Sequence, residues 1–442
     1  MRFNPLVSRS ALVAVMGALS LTASPATAQK RDKKKEKEAA EAAAAATGPQ
    51  LTVSKEYAKV AKKIQDALAK KDFAAADAAI AEAEPAATKP DDKYYQARFR
   101  LDVALGTGNK PGQLAAVDTM IDSGLMPAAD TARYNFFSGE TSYFQKDYEK
   151  AIRRLTAAKA ANSTGANLDL MIVDSHLRLN QLDQALAVGK AAITAERAAG
   201  KVPLEDYYVR LARAMSEAKR RDDVLDILAM RVQDYPQTNI WNNTLRILMN
   251  GADEELSLDI YRLMKHAGAI KQRAEVEEYA ALATKNGLPK EVLVAIDAGR
   301  SSKVIGAKDD KIDAIYNTQR DRAASDNLAS MKADVAKGPS LANARLARNS
   351  ADALYGYSEF ASAAKLYQVA LDKNDTAADV SMLRLGVNQY LAGDAAAARA
   401  TLAKVGGTRQ RLAGLWTTFI DQQTRAAAPA AAPAAAAPTT GR

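Results

Sequence analysis

The chain has no cysteine, and it carries only two histidines and two tryptophans. Without cysteine there is no disulfide framework, no thiolate metal site, no cysteine nucleophile and no lipid-modified cysteine. Two histidines exclude a multi-histidine metal centre. From Leu51 to Thr424 no apolar run reaches the roughly eighteen residues of a membrane span, so that body reads as soluble. Runs of Val, Ile, Thr and aromatics alternating every second residue are also missing, which removes the strand signal.

What the chain has in excess is positive charge, +9 with a sequence pI near 9.3. Much of it sits at the ends. Arg2 and Arg9 lie in the first residues, Gln29 to Thr47 holds six Lys/Arg against four Asp/Glu, and Arg425 and Arg442 close the chain. Setting these aside leaves about +3 for the region between, near neutral for its length, so no nucleic-acid partner is implied.

The ends read as targeting and solvated segments. Arg2 and Arg9 precede a thirteen-residue apolar run, Ala11 to Ala23, interrupted only by Ser20 and Thr22. Thirteen residues rise about 20 Å as a helix, short of the roughly 30 Å hydrocarbon core. Ala26-Thr27-Ala28 fits the small-x-small cleavage rule, so residues 1–28 read as a signal peptide cut between Ala28 and Gln29. The expected location is the periplasm. Residues 29–50 form a Lys/Glu/Ala-rich stretch without larger apolar residues, read as disordered, whose basic side chains could touch an anionic wall or membrane surface. Residues 425–442 are Ala/Pro-rich and read as a disordered tail.

The body, 51–424, is built from a phased repeat. Apolar residues recur at three- and four-residue spacings, and turns such as Lys146-Asp147-Tyr148 and Ala392-Gly393-Asp394 separate short helical segments. A small or β-branched residue in one helix precedes a partner in the next by twelve: Gly139 with Ala151, Val173 with Ala185, Ala212 with Val224, Ala280 with Val292, Ala351 with Ala363, Gly386 with Ala398. Antiparallel helices joined by a tight turn cross closely only where both side chains are small. A large residue four later (Leu155, Leu228, Ile296, Tyr367, Leu402) fills the seam. The second-helix positions 76, 151, 185, 224, 292, 363 and 398 leave three gaps of about twice the repeat length. Those gaps predict degenerate units around Pro111–Ser123, Trp241–Met264 and Asp309–Val335, and about ten hairpins in all.

These motifs, with Tyr208, Leu211-Ala212 and Pro236, resemble the tetratricopeptide repeat family. The resemblance implies an all-α, right-handed α-solenoid whose first helices line a concave groove for a protein or peptide partner. It places Arg133, Phe136, Glu140 and Tyr143 in the groove, then Asp206, Val209, Arg213 and Ser216, then Arg345, Arg348, Asp352 and Tyr355, and finally Val380, Leu383, Val387 and Tyr390. Arg345 and Arg348, one turn apart, are expected to grip a carboxylate or phosphate together. The Lys/Asn carboxylate clamp of some family members is not reproduced.

No catalytic, cofactor-binding or metal-binding residue is assigned. His176 falls at an inter-helix packing position, and His266 has no carboxylate or serine at a diagnostic spacing. The glycines of Gly106–Gly112 have no preceding strand and read as a turn. Asp372–Asp375 lacks the pattern of a calcium loop, and Asp253-Glu254-Glu255 reads as the acidic start of a helix. The expectation is a non-enzymatic interaction scaffold of the bacterial envelope, the alternative being an envelope assembly factor held at an anionic surface by its basic N-terminal stretch.

Overall fold

The computed structural model describes residues 52–427, so the signal-peptide reading with its Ala28/Gln29 cut, the basic stretch 29–50 and the end of the Ala/Pro tail lie outside the described residues. Those residues form twenty-one α-helices and no strand. They divide into two compact units at Ala166/Asn167, within the stretch 51–424 that the repeat pattern treats as one body. The connection there turns through left-handed asparagines, Asn162 (φ 59°) and Asn167 (φ 57°), instead of a tight hairpin.

The first unit holds three hairpins: α1 (Lys55–Ala69) with α2 (Phe73–Ala83), α3 (Pro90–Thr107) with α4 (Lys110–Asp122), and α5 (Ala128–Phe144) with α6 (Tyr148–Ala160). The second opens with α7 (Leu168–Arg178) and α8 (Leu182–Ala198), α9 (Glu205–Glu217) and α10 (Arg221–Asp234), then α11 (Thr238–Met249) and α12 (Glu254–His266). It continues with α13 (Arg273–Lys285) and α14 (Pro289–Ser301), α15 (Asp310–Ser325) and α16 (Leu328–Lys337), α17 (Ala344–Gly356) and α18 (Phe360–Asp372), and α19 (Ala378–Leu391) and α20 (Ala395–Leu402). A last helix, α21 (Gln410–Ala427), runs past the Thr424 boundary because its alanines continue the helical ladder. The ten hairpins match the expected number.

One local device closes most hairpins. Seven residues after the crossing position, the chain adopts a left-handed conformation: Lys71, Gly108, Lys146, Asn180, Lys219, Gly287, Ser358 and Gly393. The next residue starts the second helix, and where it is Asp its carboxylate caps the helix. Asp72, Asp147 and Asp394 accept hydrogen bonds from the N–H groups of Ala75, Lys150 and Ala397 at 3.0, 3.1 and 2.8 Å. At the crossings, a Cβ on Gly139 would lie 2.7 Å from Leu155, and one on Gly386 2.7 Å from Leu402. The small residues are therefore required by the leucine one turn beyond their partner.

The three degenerate units are hairpins, each altered differently. In α3–α4 the crossing pair is Leu101 and Gln113, whose amide donates to the Ala104 carbonyl at 3.1 Å. In α11–α12 the turn is one residue longer, so the small pair becomes Thr244 and Ser257, both buried. In α15–α16 the turn position, seven residues after Gln319 of the pair Gln319 and Met331, is Asp326, which is extended at φ −64° and ψ 133° instead of left-handed. There α16 packs on α17 and α18 and buries no residue fully, and α14 packs directly against α17.

Candidate functional site

In the first unit, the predicted groove residues of α5 share one face, and the structure leaves them partly open. Arg133 is exposed, donates to Asp130 at 3.0 Å and sits 4.5 Å over the Tyr134 ring. Phe136 is half-buried, its ring packed where a Cβ on Gly165 would stand. Glu140 is half-buried, and burial pushes its carboxyl up from the usual range. Tyr143 meets Phe144 and Tyr148 edge-on at 5.3 and 6.1 Å, with Phe144 71% exposed.

The same face of α3 escaped the sequence reading, because its crossing residue, Leu101, is large. Counting back from the left-handed Gly108 instead places Tyr95, Arg98, Asp102 and Leu105 there. Burial pushes the Asp102 carboxyl up, and Arg98, four residues earlier, pulls it back. Leu105 is 49% exposed.

In the second unit the predicted residues divide sharply. Val209 is exposed, and Arg213 is exposed and paired with Glu217 at 2.9 Å. The expected arginine fork is not formed. Arg345 is exposed, whereas Arg348 donates from Nη1 to both oxygens of Asp375 at 2.6 and 2.8 Å, in a pair withdrawn from solvent. The physical reason is that Asp375 is buried and needs a counter-charge, which Arg348 supplies within the fold. Asp352 accepts from Arg384 at 3.0 Å and from the Tyr367 hydroxyl at 2.6 Å. Tyr355 is buried, its hydroxyl 3.0 Å from His266 Nε2 and its ring 4.5 Å from the Arg262 guanidinium. Tyr390 is half-buried, 6.0 Å from the Phe419 ring.

That last contact belongs to a feature the sequence reading missed: α21 packs against α10, α19 and α20 of its own unit. Leu412, Leu415, Trp416, Phe419 and Ile420, at helical spacing, are all buried. Phe419 stands edge-on to Trp241 of α11 at 6.1 Å as well as to Tyr390 of α19. The Trp241 indole donates to Gln422 at 3.2 Å, and the Gln422 amide donates to the Val232 carbonyl at 2.6 Å. Arg411 pairs with Asp222 at 2.9 Å, and Arg409 with Asp379 at 3.0 Å. The apolar stripe from Leu412 to Ile420 was visible in the sequence, but nothing in its spacing says what covers it.

Beneath α21 lies a buried ionic network. Arg262 donates to both oxygens of Glu291 at 2.8 Å and to Asp259 at 3.0 Å, and Arg384 donates to Asp259 at 2.8 Å and to Asp352. Burial alone would lower the Arg262 guanidinium, but Glu291, Asp259 and Asp352 outweigh it and hold it well above its ordinary value. Arg262, Asp259, Glu291 and Arg384 are all at most 5% exposed. The network ties α12, α14, α17 and α19 together and leaves beside it a cavity of about 10 Å³ lined by Asp259, Arg262, Arg384, Asn388 and Trp416. That is room for about one water molecule and for nothing larger.

The remaining polar candidates have packing roles. His176 is half-buried with Nδ1 2.7 Å from Gln181. Gly108 turns α3 into α4, and Asp253 caps α12, donating nothing and accepting from Leu256 N–H at 2.6 Å. Asp375 is taken up by Arg348 and by Ser381. Among the described residues no group of three or more His, Asp or Glu is gathered as a metal site would need, and no helix is long and apolar enough to cross a membrane.

No family model matches the chain, and no curated protein matches it. Among solved structures the chain is similar to one in the structure of Naa15/Naa10 bound to HypK-THB, with 14% identity and a TM-score of 0.33. That likeness covers 80% of this chain, which spans only 63% of the other's length. It is also similar to the apo form of RapI, with 12% identity, a TM-score of 0.24, and coverage of 83% of this chain and 99% of that one. Likenesses this distant carry no functional inference, and the all-α repeat fold rests on the ten hairpins themselves.

Proposed function

We propose that this protein is a non-enzymatic protein-binding scaffold of the tetratricopeptide type, exported to the bacterial periplasm, that engages a partner protein or peptide through the concave face of its first unit. The observation that carries the reading is α21. In the second unit the first-helix side chains Trp241 and Tyr390 receive Phe419 from the apolar face of an amphipathic helix, the kind of contact a partner helix would make. The corresponding positions of α3 and α5 carry aromatic, apolar and charged side chains that are exposed or half-exposed, the composition of a recognition surface. Export is supported by the leader-like segment from Arg2 to Ala28.

A photo-crosslinking residue at position 133, on this face, tests the reading against one at exposed Arg153 on α6. Partner adducts from 133 and not from 153, formed in native envelope extract, are the expected result. Adducts of equal yield from both positions, or from neither, would refute it.

A further inference from the structure

The cavity beside the buried ionic network is lined by side chains whose hydrogen bonding is incomplete. Asp259 Oδ2, Arg384 Nη2 and Asn388 Oδ1 are buried and have no hydrogen-bond partner among the described residues. All three residues line the same space of about 10 Å³, and no residue that lines it is more than 4% exposed. Their other polar atoms are committed. Asp259 Oδ1 accepts from Arg262 at 3.0 Å and from Arg384 Nε at 2.8 Å, and Arg384 Nη1 donates to both oxygens of Asp352 at 3.0 Å. The Asn388 amide cannot be turned round, because its Nδ2 donates to the Arg384 carbonyl at 2.8 Å and a carbonyl only accepts. The residues around the cavity therefore hold two free acceptors and one free charged donor. Buried groups left in that state are costly and rare in native proteins.

We propose that this cavity is a binding site for one water molecule, held as an integral part of the contact between α12 and α19. Water has the complementary inventory: two hydrogens to donate to Asp259 Oδ2 and Asn388 Oδ1, and lone pairs to accept from Arg384 Nη2. Other occupants of that size fail on charge. A sodium or potassium ion would meet the guanidinium, and a chloride ion would meet the lone pairs of two oxygens. An apolar occupant would leave all three atoms unpaired. Asp259 belongs to α12, and Arg384 and Asn388 belong to α19, so the water bridges two helices that the Arg384–Asp259 bond already joins directly. Trp416 of α21 also lines the cavity, which makes the water long-lived: it exchanges with solvent only when the packing around it loosens. This inference does not depend on the scaffold reading.

The test is a crystal structure of the full wild-type chain, grown with rubidium bromide in the mother liquor. The expected result is one density peak within about 2.6–3.2 Å of all three atoms, with no anomalous signal from rubidium or bromide. An anomalous peak at that place assigns an ion and overturns the proposal. A cavity without density, or the three side chains turned onto one another so that the cavity closes, overturns it as well. In solution, oxygen-17 relaxation dispersion counts long-lived internal waters, and Asn388→Leu keeps the size of the side chain while removing its oxygen. The count is expected to fall by about one water from the wild type to Asn388→Leu, with helical content unchanged by far-UV circular dichroism. An equal count in the wild type and the folded variant overturns the proposal, and if Asn388→Leu does not fold, the wild-type crystal decides alone.

Discussion

Phe419, eight residues from the end of the last helix, meets Trp241 edge-on at 6.1 Å, and through that contact the C-terminal helix is seated on α11. Both rings are almost fully buried. Phe419 also stands 5.8 Å from Trp416, so the only two tryptophans of the chain flank it. Phe419→Ala is expected to cost about 3–5 kcal/mol, as for other large-to-small core changes. Intrinsic tryptophan fluorescence reads this contact directly and should shift to the red, with urea unfolding giving the stability loss. An unshifted spectrum with unchanged stability would mean that α21 does not seat as described.

A second expectation concerns the ions under that helix. Glu291 is completely buried and receives Arg262 at 2.8 Å through two nitrogens and Tyr279 through its hydroxyl at 2.8 Å. Removing the carboxylate in Glu291→Ala takes away the two-nitrogen partner of a buried guanidinium and leaves it Asp259 alone at hydrogen-bond distance, and the expected loss is about 3 kcal/mol. The pair Arg262→Met with Glu291→Met removes both charges, so it should be less destabilised than the sum of the two single changes. A double-mutant cycle in urea checks this, and strict additivity would contradict the pairing.

The close helix crossings make a third. A Cβ at residue 139 meets Leu155 Cγ at 2.7 Å, and Leu155 is itself fully buried. Gly139→Val should therefore cost about 1–3 kcal/mol by overpacking, more than its helix propensity returns. Adding Leu155→Ala opens the space and should recover part of the loss, measured by thermal or urea unfolding. Gly139→Val without penalty would show that the crossing is looser than the repeat spacing implies.

Why some of this was readable and some not follows from the same residues. Gly139/Ala151 and Gly386/Ala398 betray their hairpins because a close crossing tolerates only small side chains, a constraint written residue by residue. Thr244 and Ser257 obey the same constraint, but one extra turn residue shifts their spacing to thirteen and hides them from a search at twelve. Leu101 and Gln113 break the rule, and only the left-handed Gly108 preserves the phase. The shared face of Arg133, Phe136, Glu140 and Tyr143 on α5 was legible from their spacing, and none of the four is fully buried. The same spacing misled for Arg348 and Tyr355, because which face stays open depends on what folds onto it. Asp375, His266 and α21 come from distant parts of the chain, and local periodicity does not encode their arrival.

The last expectation is a pH dependence carried by His266. The half-buried imidazole packs against Trp416 and is hydrogen-bonded to the Tyr355 hydroxyl, and desolvation, reinforced by Lys265 and Arg262, pushes it down to about 3. The unfolded chain therefore binds a proton near pH 6.5 that the folded chain refuses until far lower pH. The unfolded state holds more protons in that window, so stability rises with pH there and falls on acidification. The slope from this one group approaches about 1.4 kcal/mol per pH unit below 6.5. Lys265, pushed down to about 8 chiefly by burial, adds a slope of the same sign between about 8 and its ordinary value of 10.5. Titrating carboxylates contribute to both the wild type and His266→Phe, so the informative quantity is their difference. From pH 7 to pH 5 the wild type should lose on the order of 2 kcal/mol more than His266→Phe in urea unfolding. Parallel losses in the two proteins would mean that His266 takes up its proton in the folded state.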